Sequence, residues 1–188
     1  MSRFIVTEYL SLDGVVEGPG GGEDYRHLGW TFEFEMTEPR QRFKLEETLE
    51  SEALLLGRVT YEAFAAAWPT MTGEFADKFN TMPKYVVSST LTHPEWNNTQ
   101  VVAGPLPDVS VRLRDQVAGD IVVHGSPTLV QGLLEHDLVD ELRLMVFPVV
   151  LGTGKRLFGE ANDKKRFKLQ DMFEVGDGVT VQTFRPDR

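Results

Sequence analysis

Ile121-Val122-Val123-His124-Gly125-Ser126-Pro127-Thr128-Leu129 reads as a strand that stops at a small-residue turn and opens directly into a helix. The uninterrupted β-branched run suits a strand covered on both faces, as in a parallel sheet. Gly125 and Ser126 let another molecule approach the backbone closely. Ser126 is a natural N-cap, and Pro127 fits the first helical position. A helix N-terminus presented in this way offers free N–H groups to an anion such as a diphosphate.

Two further segments repeat the design: Leu54-Leu55-Leu56-Gly57-Arg58-Val59-Thr60 and Val86-Val87-Ser88-Ser89-Thr90. In a parallel sheet all these strand ends point to one edge, where ligands bind in crevices beyond the carboxyl ends. Gly57 would let a phosphate or ribose lie against the backbone, and Arg58 matches a phosphate with parallel hydrogen bonds. Thr60 could cap the following helix or donate to a phosphate oxygen. Ser88, Ser89 and Thr90 would offer hydroxyls to a ribose or its phosphate.

Outward from these segments, the chain alternates strands with helices. A first strand is expected at residues 3–10, with a turn at Ser11-Leu12-Asp13-Gly14. A helix is expected from Glu38 to Ser51 with Thr37 as N-cap, burying Phe43, Leu45 and Leu49. Ala53 to Gly57 reads as a strand, Val59 to Ala67 as a helix, and Gly73 to Asn80 as a short helix. Lys84 to Ser88 and Thr99 to Ala103 read as strands, Ser110 to Ala118 as a helix, and Ser126 to His136 as the next. Glu141 to Val150 is a long strand, and two more flank the hairpin dipeptide Asp177-Gly178. The order predicts one α/β domain over residues 1–188: a mostly parallel sheet with antiparallel C-terminal strands and helices on both faces. Gly18-Pro19-Gly20-Gly21-Gly22 lacks the glycine spacing of a dinucleotide fingerprint and contains Pro19, so it reads as a mobile loop.

Composition narrows the class. The 188 residues include no cysteine, which excludes disulfides, cysteine-ligated zinc and a cysteine nucleophile. His27, His93, His124 and His136 show no paired ligand spacing, so no metal is expected. A net charge of −10 argues against nucleic acid, and an anionic ligand must be held locally. No apolar run reaches about 18 residues, so no membrane span is expected. The stretch Met1 to Glu8 enters a strand without a signal-peptide pattern, so the expected location is cytoplasmic. Ser126 does not sit in a Gly-x-Ser-x-Gly elbow, which disfavours a hydrolase triad.

These residues also resemble a known family. Gly57-Arg58-Val59-Thr60-Tyr61-Glu62 is similar to the Gly-Arg-x-Thr-aromatic-Glu motif of dihydrofolate reductases. Leu138-Val139-Asp140-Glu141-Leu142, Pro148 to Gly154, Leu157-Phe158 and the early Ser11-Leu12-Asp13-Gly14 resemble the reductase domain of bacterial riboflavin biosynthesis. The resemblance runs from residue 3 to residue 185 and is to stand-alone members, which lack the fused deaminase. It implies a dihydrofolate-reductase-like sheet of eight or nine strands, NADPH as hydride donor, a small-molecule substrate and often a homodimer. By resemblance, Gly57, Arg58 and Thr60 contact the cofactor diphosphate and adjoining ribose, Ser88, Ser89 and Thr90 sit at the adenosine end, and Gly125, Ser126, Pro127, Thr128 and Leu129 hold the diphosphate from the other side. Asp13 to Gly22 would be the mobile loop over the nicotinamide. The named activity that the resemblance implies is reduction of 5-amino-6-(5-phosphoribosylamino)uracil.

The chain departs from the dihydrofolate reductase pattern in two places. His124 stands where those enzymes have the first of two glycines joined by a cis peptide, and here a cis bond would cost about 3–4 kcal/mol. Ser89 stands where a basic residue often reads the NADPH 2′-phosphate, which leaves NADH open as cofactor. Arg112, Arg114 and Lys84 are the candidate substitutes. On the substrate side, Asp13, Glu33 and Glu35 are candidate acids and Glu38 lies in the same region. Asp13 before Gly is equally a turn former. Trp30 could stack a flat ring or pack with Phe32 and Phe34 in the core. Gly152 and Phe158 could line the substrate cleft, with Lys155 and Arg156 for an anionic group. An alternative reading of the same site is a nucleotide- or flavin-binding protein without reductase turnover, and a third is a protein that only sequesters a small aromatic ligand.

Overall fold

Successive side chains of the strand Ala53–Gly57 enter different cores, as the strand period requires. Ala53 and Leu55 join one apolar cluster, and Leu54 and Leu56 join another on the opposite face. In this computed structural model, which describes residues 2–21, 24–159 and 163–187, the strands are β1 (Phe4–Ser11), β2 (Ala53–Gly57), β3 (Lys84–Val87), β4 (Thr99–Val102), β5 (Ile121–His124), β6 (Glu141–Phe147), β7 (Phe167–Gly176) and β8 (Val179–Pro186). The helices are α1 (Glu38–Glu50), α2 (Arg58–Ala67), α3 (Glu74–Thr81), α4 (Leu106–Gln116) and α5 (Pro127–Glu135).

The strands form one eight-stranded sheet in the order β4-β3-β2-β5-β1-β6-β8-β7. The pairs among β1 to β6 are parallel, and β8 and β7 add antiparallel strands. This is the expected α/β architecture. Val109 and Leu113 of α4 pack with Leu129, Val130 and Leu133 of α5 in the cluster on one face. Tyr61 of α2 and Phe79 of α3 belong to the cluster on the other face.

Connectivity creates the crevice. The chain steps outward from β2 to β4, then returns to lay β5 between β2 and β1. β5 pairs with β1 only through Thr7 opposite His124, whereas β6 follows β1 as far as Ser11 opposite Phe147. Residues 8–11 of β1 therefore run past the end of β5, at the point where the strand order reverses.

Two boundaries and one buried face differ from expectation. α4 starts at Leu106, not Ser110, because Pro107 falls in the first turn, where its missing N–H is harmless. β6 ends at Phe147, before Pro148, which has no N–H for the ladder. α1 lies where expected, and Thr37 Oγ1 accepts from Arg40 N–H, but its buried residues are Arg40, Glu47 and Thr48, while Leu49 is exposed. Polar Thr7 lies beneath the helix and bonds Glu47 and Lys44. Polar Arg40, Lys44, Glu47 and Thr48, at positions i, i+4, i+7 and i+8, therefore take the inward face in place of the apolar residues.

Candidate functional site

At the carboxyl edge of the sheet, two helices begin side by side. Neither α2 nor α5 has a side-chain cap, so first-turn N–H groups are left for solvent or a ligand. Ser126 occupies the N-cap position of α5 but not the capping role. It is left-handed (φ 63°), and its Oγ accepts from Gly57 N–H at 2.8 Å. That bond latches the end of β2 to the turn after β5.

The latch needs both glycines. A Cβ on Gly57 would lie 3.3 Å from the Ser126 side chain. One on Gly125, where φ is +56°, would lie 3.0 Å from Thr60 Cγ2. Gly57, Thr60, Gly125, Ser126 and Leu129 are thus brought together, with Pro127 and Thr128 in the adjoining first turn of α5. No cis peptide occurs among the described residues, in line with His124 replacing a glycine.

Arg58 lies in the first turn of α2, and Glu62 accepts from its guanidinium through both carboxylate oxygens at 2.9 Å. At the end of β3, Ser88 Oγ accepts from Thr90 N–H and Leu91 N–H, which fixes the turn and leaves Ser89 and Thr90 exposed. Of the candidate basic substitutes, Arg112 is at this edge: it donates to Ala103 O just beyond β4, whose Val102 O accepts from Ser88 N–H. Lys84 and Arg114 are at the other end of the sheet. Lys84 is buried at the start of β3, donating to Asn80 O, Met82 O and Asn97 O, and burial lowers its pKa to about 8. Arg114 holds Ser2 O, Leu138 O and Asp140.

The turn after β1 is pinned from Asp13 to Pro19 and does not swing free. Asp13 accepts from Ser11 Oγ, Leu151 N–H and Gly152 N–H. Burial pushes its pKa up, but these hydrogen bonds prevail and hold it at about 2. It is therefore a poor proton donor near neutrality and a strong brace for Gly152. Val15 bridges Arg156, Glu17 accepts from Lys155 N–H, and Pro19 O accepts from Thr31. Gly22 lies outside the described residues.

The other substrate-side candidates separate. Trp30 is 1% exposed, edge-on to Phe147 at 5.2 Å, with Nε1 donating to Glu17 O, so it packs in the core and presents no ring to a ligand. Phe34 packs on Phe147 as well, whereas Phe32 is exposed. Glu33 and Glu35 are exposed, and Glu35 N–H donates to Asp177 in the β7–β8 turn. Phe158 is exposed beside buried Leu157.

The structure adds polar groups that periodicity does not single out. Glu8 is 5% exposed, and its Oε1 is buried without a partner. Burial drives its pKa up to about 8, with Lys44 and Gly125 N–H opposing and Glu47 adding to the rise. His124 is buried edge-on to Phe79, its Nε2 is also unpartnered, and burial and then Lys44 hold its pKa well below the ordinary value. A single glutamate inside the apolar run Phe4-Ile5-Val6-Thr7-Glu8-Tyr9-Leu10 is the sequence signal for the first of these.

Comparison with known proteins agrees with this geometry. The chain is 26% identical over 176 residues to the uncharacterized protein YwjB of Bacillus subtilis, covering 94% of each. It superposes with a TM-score of 0.78 and 23% identity on a Shewanella sp. PV-4 protein described as a riboflavin biosynthesis protein, covering 99% of both chains. It superposes with a TM-score of 0.67 and 14% identity on Enterococcus faecalis dihydrofolate reductase complexed with NADP(H), covering 99% of this chain and 97% of that one. At these identities the superpositions speak for the fold. Residues 3–181 match the family model of the RibD C-terminal domain, and the chain belongs to that family.

Proposed function

We propose that the chain is a reductase that binds NADPH at the carboxyl edge of the sheet and reduces a C=N or C=O carbon of a flat pteridine- or pyrimidine-like substrate. The paired, uncapped N-termini of α2 and α5, latched through Gly57 and Ser126, carry the reading. They aim two sets of N–H groups and two positive dipole ends at one place, and glycine stands where a Cβ would crowd the latch. Bound there, NADPH would supply the hydride, while the protein orients and shields.

The roles follow from position. Arg58 would exchange Glu62 for a phosphate oxygen. Thr60, Gly125, Ser126, Pro127, Thr128 and Leu129 would frame the diphosphate. Ser88, Ser89 and Thr90 would face the adenosine ribose, with Arg112 as the cation for a 2′-phosphate. Gly152, braced by Asp13, and exposed Phe158 remain candidates for the substrate side. Membership of the RibD C-terminal family and likeness to an NADP(H)-bound reductase support 5-amino-6-(5-phosphoribosylamino)uracil as the first substrate to assay.

A thermal-shift titration with NADPH, NADH and FMN tests this. Ligand at about a hundredfold its Kd adds about 2.7 kcal/mol, or roughly 5–10 °C. A shift with NADPH supports the reductase; a shift with FMN alone favours a flavin carrier; none overturns the cofactor reading. Arg58→Ala should weaken NADPH by about 10- to 100-fold, the value of a lost charged hydrogen-bond pair. It should leave stability nearly unchanged, because the Arg58–Glu62 pair is exposed.

A homodimer completes the reading. β7 is an edge strand on which Leu169, Met172 and Phe173 are exposed among Lys168, Asp171 and Glu174, an apolar surface that a second copy would cover. Light scattering after size exclusion should give twice the chain mass, and Met172→Lys should return the monomer.

A further inference from the structure

We propose that a cavity at the amino edge of the sheet is a second ligand site, for a small molecule with an apolar ring and one phosphate group. The cavity lies between the end of α5, the start of β7 and the end of β8, and holds about 480 Å3, the size of a small-ligand pocket. β7 begins and β8 ends where β6 begins, so this is the edge opposite the helix N-termini that would hold the cofactor. Occupancy of one does not depend on the other. The floor of the cavity is apolar. Val139 is buried in the core on the α5 face, and Leu134 and Phe167 pack against that core and also line the cavity. Pro186 stands opposite Phe167 in the last β7–β8 pair. A ring resting on these four side chains would take apolar area out of water.

The rim is cationic, in a chain whose net charge is −10. Lys164-Lys165-Arg166-Phe167-Lys168 places four cations in five residues, and the carboxylates lining the cavity are Asp137 and Asp187. Lys165 is committed to the fold: its Nζ donates to Glu135 O at the end of α5 and to Asp137 Oδ1 at 2.8 Å. Asp187 is shared, 2.7 Å from Lys168 and 3.1 Å from Arg166. Arg166 can therefore turn to a ligand while Lys168 keeps Asp187 paired. Lys164 has no ion-pair partner among the described residues. Asp187 N–H donates to Arg166 O at 2.9 Å, which fixes the two sides of the rim together. One guanidinium and one ammonium remain for the ligand, and together they match the charge of a phosphate monoester. A solvated edge strand needs charge, but not a cavity with an apolar floor behind it.

The test is a titration of the isotope-labelled chain with phenyl phosphate, inorganic phosphate and phenol, read by backbone amide NMR shifts. Phenyl phosphate should shift residues 134–139 and 164–168 with a Kd of about 1 mM or tighter, and inorganic phosphate and phenol should each bind about tenfold more weakly or worse. The double variant Lys164→Glu with Arg166→Glu should weaken phenyl phosphate about tenfold or more. It should keep the fold, because both side chains are exposed. Arg42→Glu, on the exposed side of α1, controls for the change in net charge and should leave the affinity within about twofold. Saturating NADPH should leave the shifts in place. Shifts confined to residues 57–60 and 125–128 would put the probe at the cofactor edge and overturn the proposal. No shift at about 10 mM phenyl phosphate would overturn it as well. So would inorganic phosphate or phenol binding as tightly as phenyl phosphate, or an affinity that the double variant leaves unchanged.

Discussion

Glu8→Gln should make the protein more stable than wild type at pH 8–9, by on the order of 3 kcal/mol or about 6–12 °C in Tm. The sign follows from the direction of the shift. Burial raises the folded-state pKa of Glu8 from its ordinary value to about 8, so the fold prefers the proton. Its contribution is fully present below the ordinary carboxylate pKa and is lost as pH rises through about 8. Near neutrality the unfolded chain gains by ionising Glu8 and the folded chain does not. Glutamine keeps the shape and a donor, but has nothing to ionise. Asp13, Asp120 and Glu141 act in the opposite direction. Their hydrogen bonds and arginine partners lower their pKa values, so they stabilise above the ordinary carboxylate range and lose that effect in acid. Wild type should therefore be most stable on the acid side of neutrality. Thermal melts from pH 4 to 9 would show it, and a Glu8→Gln curve parallel to wild type would contradict the assignment.

Glu47→Ala should destabilise the fold by about 3–5 kcal/mol, roughly 6–20 °C in Tm. Glu47 is buried under α1, where its Oε2 accepts from Lys44 Nζ at 2.6 Å and from Thr7 Oγ1 at 3.0 Å, and its Oε1 lies 3.5 Å from Arg143. Burial pulls the Lys44 pKa down, but Glu47 beside it more than compensates, so the ammonium keeps its charge. Removing the carboxylate leaves a buried ammonium with Thr7 Oγ1 and the Tyr9 ring for company. The deficit should shrink at high pH, where a neutral amine no longer needs hydration. Replacing both partners, Lys44→Met with Glu47→Leu, should recover most of the loss, because an apolar pair of similar volume has no charge to bury. Denaturation of the three proteins by urea measures all of these differences. A single-variant loss under about 1 kcal/mol would mean that water reaches the pair.

Both predictions come from side chains that local patterning hides. Strand and helix positions were legible because apolar alternation and capping residues act within a few neighbours. The hairpin at Asp177-Gly178, the N-cap at Thr37 and the strand–turn–helix at residues 121–129 all stand where the local code puts them. The inward face of α1 was not legible, since its buried positions are polar and are matched by Thr7 from a strand some 40 residues away. Trp30 was ambiguous for the same reason: a tryptophan in sequence does not say whether Phe147 will be beneath it.

By itself, then, the sequence determined the α/β class, the mostly parallel sheet, the family, and the edge at which Gly57, Arg58, Ser88, Gly125 and Ser126 gather. The class, the sheet and the edge depend on periodicity, turn chemistry and the order of elements along the chain, and the family on the resemblance of its motifs. Only the tertiary structure decided that Ser126 latches Gly57 and does not cap its own helix, that Asp13 is a charged brace, and that Glu8 keeps its proton at neutral pH. Hydrogen-bond partners and protonation states depend on which distant groups arrive and how much water they displace. That is settled only when β1, β2 and β5 close on one another.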